Sequence, residues 1–195
     1  MKELEERIRS QGRILPGEII KVDSFLNHQV DTEFLEEMGK EFARNFADLN
    51  ITKVMTLEAS GIPPALMTAR VMNVPLVFAK KSGSKNIGDA FYKASVTSYT
   101  YGRSFEINVS KAFLNSDDRI LLVDDFLATG SAIEGLMELC REAGAEVAGV
   151  GICITKAHQG GEQRILETGV RLVSLAVIES LDGDKVVFRN EEQPL

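Results

Sequence analysis

RILLVDDFLATGSA, residues 119–132, joins an apolar run, two acids and a loop of small residues. The apolar run from Ile120 to Val123 is typical of a strand that is buried on both faces of a parallel sheet. Asp124 and Asp125 follow this run directly. The order predicts a strand over 119–124 with two carboxylates beyond its carboxyl end, where the ligand crevice of an open α/β sheet lies.

Small side chains dominate the loop after the acids, which contains Ala128, Thr129, Gly130, Ser131 and Ala132. This loop opens a predicted helix, and the unpaired N–H groups at a helix N-terminus favour a bound anion. Carboxylates beside such a loop predict a ligand that has both hydroxyls and a phosphate. The alternative interpretation is a turn with an ordinary helix cap.

The complete string VDDFLATGSA is similar to the phosphoribosyl diphosphate (PRPP) motif of the type I phosphoribosyltransferases. This resemblance implies that Asp124 and Asp125 hold the two ribose hydroxyls. It also implies that the amides of residues 128–132, together with the Thr129 hydroxyl, hold the 5′-phosphate.

Four further segments resemble the xanthine phosphoribosyltransferases, a bacterial purine-salvage group. They are KVDSFLNHQVD (21–31), LEASGIPPA (57–65), PLVFAKK (75–81) and ITKAHQGG (154–161). The resemblance implies conversion of xanthine and PRPP to xanthosine 5′-monophosphate and diphosphate. Two alternatives stay open: a hypoxanthine/guanine enzyme of the same fold, and a non-catalytic regulator that senses PRPP.

The same resemblance implies an α/β architecture, the type I phosphoribosyltransferase fold. A parallel sheet flanked by helices is expected, with a flexible lid hairpin. The chain, residues 1–195, is expected to be a single domain. Residues 1–30 and the C-terminal segment are expected to form a small hood over the base. Members of this fold are usually dimers, so a homodimer is expected as well.

The leaving group requires donors from elsewhere in the chain. By resemblance, the pyrophosphate loop consists of Glu58, Ala59, Ser60 and Gly61. Lys81 is the expected cation beside pyrophosphate, and Lys80 is a near-equal competitor. A Mg²⁺ ion is expected to arrive with PRPP, held mostly by substrate oxygens and water, so no protein-built metal site is predicted.

The resemblance assigns the purine base to Ile20, Asn27 and Lys156. A lysine donor favours a 6-oxopurine and disfavours adenine, whose amino group would meet a second donor. Asn27 carries both a donor and an acceptor with which to read the 2-position. The alternatives are a turn former at Asn27 and a surface lysine at Lys156. Phe126 is either a base-stacking residue or part of the core.

Hydrophobic periodicity predicts alternating helices and strands, and hence a parallel sheet with crossover connections. The predicted helices cover 2–11, 31–47, 62–72, 130–143 and 161–168. The predicted strands cover 53–57, 75–79, 119–124, 147–155 and 171–178. An antiparallel pair, 93–99 with 103–109, interrupts the pattern. Its loop-like flanks, 82–84 and 86–88, favour a lid over surface decoration.

Composition excludes several classes of function. The net charge of −7 and pI near 5.0 argue against a nucleic-acid groove. They still allow a local basic cluster, made of Lys80, Lys81, Lys85, Lys93 and Arg103. The two cysteines lack Cys-x-x-Cys spacing and fit a reducing cytoplasm. The charged N-terminus does not resemble a signal peptide, and no apolar run approaches a membrane span.

Overall fold

The computed structural model describes residues 1–81, 90–98, 103–182 and 185–189. In this part of the chain the α-helices are α1 Lys2–Gln11, α2 Thr32–Asn45, α3 Ile62–Met72, α4 Ser131–Ala143 and α5 Gly161–Glu167. The strands are β1 Arg13–Leu15, β2 Ile19–Lys21, β3 Lys53–Leu57, β4 Leu76–Lys81, β5 Phe91–Ser98, β6 Arg103–Ser110, β7 Arg119–Leu127, β8 Glu146–Lys156, β9 Arg171–Asp182 and β10 Lys185–Phe188. A π-helix covers Asp23–Asn27, and a 3₁₀ turn covers Ala157–Gln159.

Eight of the described strands form one sheet in the order β10-β9-β8-β7-β3-β4-β6-β5. Strands β9, β8, β7, β3 and β4 run parallel to their neighbours in the centre. At the edges, β10 and the β6–β5 pair are antiparallel. Strands β1 and β2 form a separate hairpin. The predicted α/β class is therefore confirmed, including the antiparallel pair between β4 and β7.

Helices cover both faces of the sheet. Apolar side chains of α1, α2 and α3 form one buried cluster with the sheet, and those of α4 and α5 form another. Strand β7 lies between the two clusters because its side chains alternate. Leu121 and Val123 belong to the first cluster, whereas Ile120 and Leu122 belong to the second. This strand is buried on both faces, as its sequence predicts.

Several predicted elements are confirmed together with the residues that delimit them. Helices α1 and α3 and strand β3 have the predicted bounds. Pro63 lies in the first turn of α3, where its missing N–H removes no helical hydrogen bond. The Asp31 carboxylate caps α2 by accepting a 3.1 Å hydrogen bond from the Phe34 N–H. Helix α2 then ends at Asn45, two residues before the predicted end.

The predicted end of the third parallel strand was wrong. Strand β7 runs to Leu127, past the expected end at Asp124. Asp124 pairs with Ile152, and Phe126 pairs with Ile154 of β8. The two acids interrupt the apolar pattern of the sequence, but β7 stays paired with β8 at these positions. Strand β8 thereby satisfies the backbone N–H and C=O groups of β7. The acid pair therefore belongs to the sheet itself, near the carboxyl end of β7.

Other elements escaped prediction. The three-residue strands β1 and β2 are too short for a periodic pattern to reveal them. Strand β10 and the π-helix were also missed. The predicted loop segments 82–84 and 86–88, and Lys85 between them, lie outside the described residues, and the lid stays a prediction.

Among the helices that the structure describes, none is long and apolar enough to cross a bilayer.

Candidate active site

Two neighbouring carboxylates lie near the carboxyl end of β7. Asp124 is buried, with 6% of its surface exposed, and Asp125 is partly buried. Asp124 Oδ1 accepts a 3.0 Å hydrogen bond from the Asp125 N–H. The side chain of Asn27, the last residue of the π-helix, lies close enough to Asp125 to lower the pKa of its carboxyl. A residue predicted to read the base therefore lies against the acid pair.

Burial and mutual repulsion set the electrostatics of the pair. Burial raises the pKa of Asp124 well above its usual range, and the charge of Asp125 raises it further. The Lys81 cation acts in the opposite direction and favours the ionised form of Asp124. Burial also raises the pKa of Asp125, although neighbouring polar groups, the Asn27 amide among them, oppose this rise. Buried acids with raised pKa values beside a cavity mark a candidate functional site.

The loop of residues 58–61 joins β3 to α3 beside these acids. A Cβ atom at Gly61 would lie 2.2 Å from Thr56 Oγ1 and 2.5 Å from Asp124 Oδ1. Any side chain at this position would collide with the carboxylate, so glycine allows the loop backbone to approach the acid pair closely. The Glu58–Ala59 peptide bond in this loop is cis.

Glu58 connects the 58–61 loop to β4. Its N–H donates to the Ala79 carbonyl at 3.1 Å, and its Oε1 accepts a 2.7 Å hydrogen bond from the Lys81 N–H. Because these contacts reach the end of β4, they hold the loop beside Lys81. The Lys81 Nζ lies 5.4 Å from the centroid of the Phe105 ring.

A cavity of about 160 Å³ lies where these elements meet. Its lining consists of Leu57, Glu58, Ala59, Ser60, Gly61, Lys81, Asp124 and Asp125. The structure thus brings together the predicted pyrophosphate loop, the acid pair and one lysine. Of the two competing lysines, Lys81 belongs to this lining, whereas the Lys80 Nζ lies 5.9 Å from the Phe78 ring centroid.

The predicted phosphate loop, residues 128–132, connects β7 to α4. Gly130 is the N-cap of α4 and has a φ of 90°, a left-handed conformation that glycine adopts without strain. The Thr129 and Ser131 hydroxyls lie 3.1 Å apart and share a hydrogen bond. As predicted, these residues open a helix directly after the strand that carries the acids.

The three predicted base-binding residues come from separate elements. Ile20 is buried on β2. Asn27 Oδ1 is buried and has no hydrogen-bond partner among the described residues. Such an orphaned acceptor is uncommon in a protein interior. Lys156 is the last residue of β8, as expected for a side chain at the carboxyl edge of the sheet.

Lys156 has partners in the structure. Its Nζ donates a 2.9 Å hydrogen bond to the Glu18 carbonyl and lies 5.7 Å from the centroid of the Phe126 ring. Burial lowers the pKa of Lys156, against the opposing charge of Glu18. The ammonium is therefore a partly desolvated donor, held between the β1–β2 hairpin and the residue that follows the acid pair.

Comparison with known proteins identifies the family. Residues 24–183 match the model of the phosphoribosyl transferase domain. The chain is 53% identical over 192 residues to the xanthine phosphoribosyltransferase of Lactiplantibacillus plantarum, with 98% of each chain covered. It is 52% identical to that of Ligilactobacillus salivarius, with 98% of this chain and all of the relative covered. This chain belongs to the phosphoribosyltransferase family. Its resemblance to the xanthine group is confirmed as well.

Solved structures of other phosphoribosyltransferases share the fold. The adenine phosphoribosyltransferase of Giardia lamblia, complexed with 9-deazaadenine, superposes with a TM-score of 0.76 at 22% identity, covering 91% of this chain and 98% of that one. The Rhodothermus marinus adenine enzyme superposes with a TM-score of 0.75 at 24% identity, covering 91% and 100%. At such low identity these likenesses establish the architecture alone.

Sequence reasoning missed three residues of this phosphoribosyltransferase that touch the predicted site. Glu18 binds Lys156 through its carbonyl, and Gly161 and Arg164 bind the 128–132 loop. The Gly160–Gly161 pair was visible in the sequence, and paired glycines signal close backbone approach. Glu18 and Arg164 carried no comparable signal.

Proposed function

We propose that this protein is a xanthine phosphoribosyltransferase that converts xanthine and PRPP to xanthosine 5′-monophosphate and diphosphate. The observation that carries the proposal is one cavity lined by the acid pair, the 58–61 loop and Lys81. The phosphate loop begins at Ala128, three residues after Asp125 on the same strand-to-helix connection. Relatives about half identical to this chain are xanthine phosphoribosyltransferases.

The acid pair and the phosphate loop hold the phosphoribosyl group. Ribose hydroxyls donate hydrogen bonds to Asp124 and Asp125, and such bonds favour the ionised carboxylates over the protonated form that burial favours. The amides of residues 128–132 and the Thr129 hydroxyl bind the 5′-phosphate. With both ends fixed, the anomeric carbon presents one face to the incoming purine nitrogen.

The 58–61 loop and Lys81 receive the departing pyrophosphate. The transition state has oxocarbenium character, and negative charge builds up on the leaving group as the bond to the anomeric carbon breaks. Backbone N–H groups of Ala59, Ser60 and Gly61 and the Lys81 ammonium are donors aimed at that charge. They are fixed before the reaction begins, since Glu58 ties the loop to β4.

Magnesium enters this scheme as part of the substrate. Among the described residues, no group of three or more His, Cys, Asp or Glu side chains forms a metal site. The cavity lining nevertheless carries carboxylate oxygens from Glu58, Asp124 and Asp125. Oxygen ligands of this kind suit Mg²⁺ that is held mainly by PRPP oxygens and water.

The base is read by Ile20, Asn27 and Lys156. The Lys156 ammonium donates to the 6-oxo group, and the amide of Asn27 reads the 2-position. The Asn27 Oδ1, which has no hydrogen-bond partner in the described part of the chain, accepts from a purine N–H, while Ile20 supplies apolar contact. Phe126, beside Lys156, is positioned to stack against the ring. Adenine is disfavoured because its 6-amino group would face a donor.

The same resemblance supports proposals about the domain organisation, oligomeric state and cellular location of the enzyme. We propose that residues 1–30 and the C-terminal segment form the hood over the base, and that the chain is one phosphoribosyltransferase domain. We also propose that it acts as a homodimer in the cytoplasm, without a nucleic-acid or membrane partner. Light scattering of the purified protein tests the dimer, and a monomer mass would refute it.

A PRPP-dependent assay with Mg²⁺ tests the function, offering xanthine, guanine, hypoxanthine and adenine in parallel. We expect xanthine to have the highest kcat/KM and adenine the lowest. Preference for hypoxanthine or guanine over xanthine would replace the proposal with the related 6-oxopurine activity. PRPP binding without turnover of any base would point to the regulator instead.

A further inference from the structure

Three consecutive carbonyl groups of the phosphate loop are hydrogen-bonded by α4 and α5. The Gly161 N–H donates to the Ala128 carbonyl at 2.9 Å, and the Glu134 N–H donates to the Gly130 carbonyl at 2.9 Å. Between them, Arg164 Nη1 donates to the Thr129 carbonyl at 3.1 Å. The loop is therefore fixed through its acceptors.

Fixing the carbonyls also directs the amides. In a trans peptide, the C=O and the following N–H point in opposite directions. A bond to the Ala128 carbonyl therefore aims the Thr129 N–H away from α5, and a bond to the Thr129 carbonyl does the same for the Gly130 N–H. These are the amides assigned to the 5′-phosphate, so their direction depends on the hydrogen bonds that α5 makes to the loop carbonyls.

Gly161 touches the loop so closely that no other residue fits. A Cβ at this position would lie 2.4 Å from the Ala128 carbonyl oxygen and 2.6 Å from the Gly130 nitrogen. Both are backbone atoms, which cannot rotate away as a flexible side chain does. The neighbouring Gly160 differs: it has a φ of +80°, but a Cβ there would meet nothing within 4 Å. Gly161 is therefore required for its close packing against the loop, whereas Gly160 is required only for its backbone conformation.

Arg164 holds the loop and α4 at the same time. Its Nη2 lies 2.5 Å from the Glu134 Oε2, while its Nη1 binds the Thr129 carbonyl. The planar guanidinium reaches both partners from one side chain, and a lysine ammonium cannot reproduce that fork. Arg164 therefore locks the loop against the first turn of α4, whose own N–H of Glu134 binds Gly130.

We infer that Gly161 and Arg164 are positioning residues for the 5′-phosphate of PRPP, acting through the backbone of the 128–132 loop. The inference rests on the proposed function. The proposed roles require no contact with the substrate, although Arg164 borders the same cavity as Thr129 and Ser131. Gly161 permits the close packing that keeps the amides aligned, and Arg164 fixes the middle peptide of the loop.

Kinetics of alanine variants at the two glycines test the role of Gly161. We expect Gly161→Ala to raise the KM for PRPP by at least about tenfold, because small displacements of a binding group are costly. The KM for xanthine should change less than twofold. Gly160→Ala, which strains φ without a collision, should leave the ratio of the two KM values as in the wild type. Equal changes in both KM values for Gly161→Ala would overturn its positioning role.

Arginine variants test the second residue and remain informative if Gly161→Ala does not fold. We expect Arg164→Ala and Arg164→Lys to raise the KM for PRPP by a similar factor, with the KM for xanthine unchanged. Full rescue by lysine would mean that charge matters and the hydrogen-bond fork does not, which would overturn the role of Arg164. Arg141→Ala is the matched control, because Arg141 is an exposed arginine of α4 whose guanidinium donates to Glu138.

The wild-type protein separates failure of this inference from failure of the proposed function. Absence of turnover with every purine would refute the activity, and the variants would then be compared by the rise in Tm on adding Mg²⁺-PRPP. A smaller rise for Gly161→Ala and Arg164→Ala than for Gly160→Ala and Arg141→Ala supports the inference. Equal rises would refute it, whichever base the enzyme uses.

Discussion

The two halves of the proposed site are built in different ways. The PRPP half, made of the 58–61 loop, Lys81, the acid pair and the 128–132 loop, follows the ends of parallel strands. The base half, made of Ile20, Asn27 and Lys156, draws on a three-residue strand, a π-helix and the end of β8.

The first half therefore binds groups that do not vary, whereas the second half binds the part of the reaction that does vary. Phosphate and ribose are constant features of PRPP, and a sheet edge presents fixed amides and carboxylates to them. The base varies among phosphoribosyltransferases, and two of the three residues proposed to read it here, Ile20 and Asn27, lie outside the main sheet. Asn27 joins the halves, because it lies close enough to Asp125 to lower its pKa, while its own Oδ1 has no hydrogen-bond partner among the described residues. Four experiments sharpen or break this division.

The largest effect is expected at the acid pair. Asp124→Asn removes a charge but keeps an acceptor for the Asp125 N–H. Loss of a charge-assisted hydrogen bond to ribose should lower kcat/KM for PRPP by about 100-fold. Stability should change in the opposite direction: burial raises the pKa of Asp124, so its ionised form costs folding free energy above that pKa. Tm should rise by roughly 2–4 °C at neutral pH, as a gain of about 1 kcal/mol would produce.

The sign of this stability change depends on pH. As pH falls through the raised pKa towards the ordinary value of 3.8, wild-type Asp124 takes up a proton and the advantage of the variant disappears. Asp118→Asn is the control: Asp118 is equally buried, but it accepts from Lys53 at 2.8 Å. That variant should lose stability and keep its kinetics. Normal PRPP kinetics in Asp124→Asn would remove the acid pair from the PRPP half.

The next effect is expected at the end of β4. Lys81→Ala should lower kcat by about 10- to 100-fold, since it removes one charged donor from the leaving group. Lys80→Ala should change kcat less than twofold. The Lys81 charge also favours ionised Asp124 against the effect of burial, so its loss raises the pKa of Asp124. The acid limb of the pH–rate profile should therefore move to higher pH in Lys81→Ala and stay in place in Lys80→Ala. Equal losses in the two variants would mean that the geometry does not distinguish these lysines.

A smaller and more selective effect is expected at Lys156. Lys156→Ala should raise the KM for xanthine by about tenfold, the cost of one hydrogen bond to a charged donor, and leave the KM for PRPP within twofold. Discrimination against adenine should relax, because the opposing donor is gone. Lys21→Ala is a control within the β1–β2 hairpin, where Lys21 Nζ lies 3.5 Å from Asp23. A parallel rise in both KM values for Lys156→Ala would break the division between the halves.

Predictability from sequence follows the same division. Residues 53–57 and 62–72 have the predicted bounds because an apolar strand and a proline-started helix are strong local signals. The phosphate loop lay in one contiguous motif. Strand β7 exceeded its prediction because pairing with β8, a long-range contact, overrode the acids in the pattern. The β1–β2 hairpin gave no periodic signal beyond the turn-forming Pro16–Gly17 pair, and Glu18 adopts a φ of 60° although it is not a glycine.

The smallest effect is expected at Glu18, which holds the β1–β2 hairpin to the end of β8. Its carboxylate lies 3.3 Å from His158 Nε2, and its carbonyl accepts from Lys156. An exposed ion pair of this kind contributes up to about 1 kcal/mol, so His158→Ala should raise the KM for xanthine by roughly two- to fivefold at most.

Glu18→Gly separates the side chain from the main chain at this contact. Glycine accepts the left-handed conformation without strain and keeps the carbonyl that binds Lys156. We therefore expect Glu18→Gly to raise the KM for xanthine no more than His158→Ala does. Glu18→Ala keeps the strained φ but removes the contact with His158, so it should raise the KM for xanthine further. If Glu18→Gly instead matched Lys156→Ala, the side chain rather than the carbonyl would hold the hairpin. A change in the KM for PRPP in any of these variants would show that the hairpin also supports the PRPP half, and the two halves would then act as one unit.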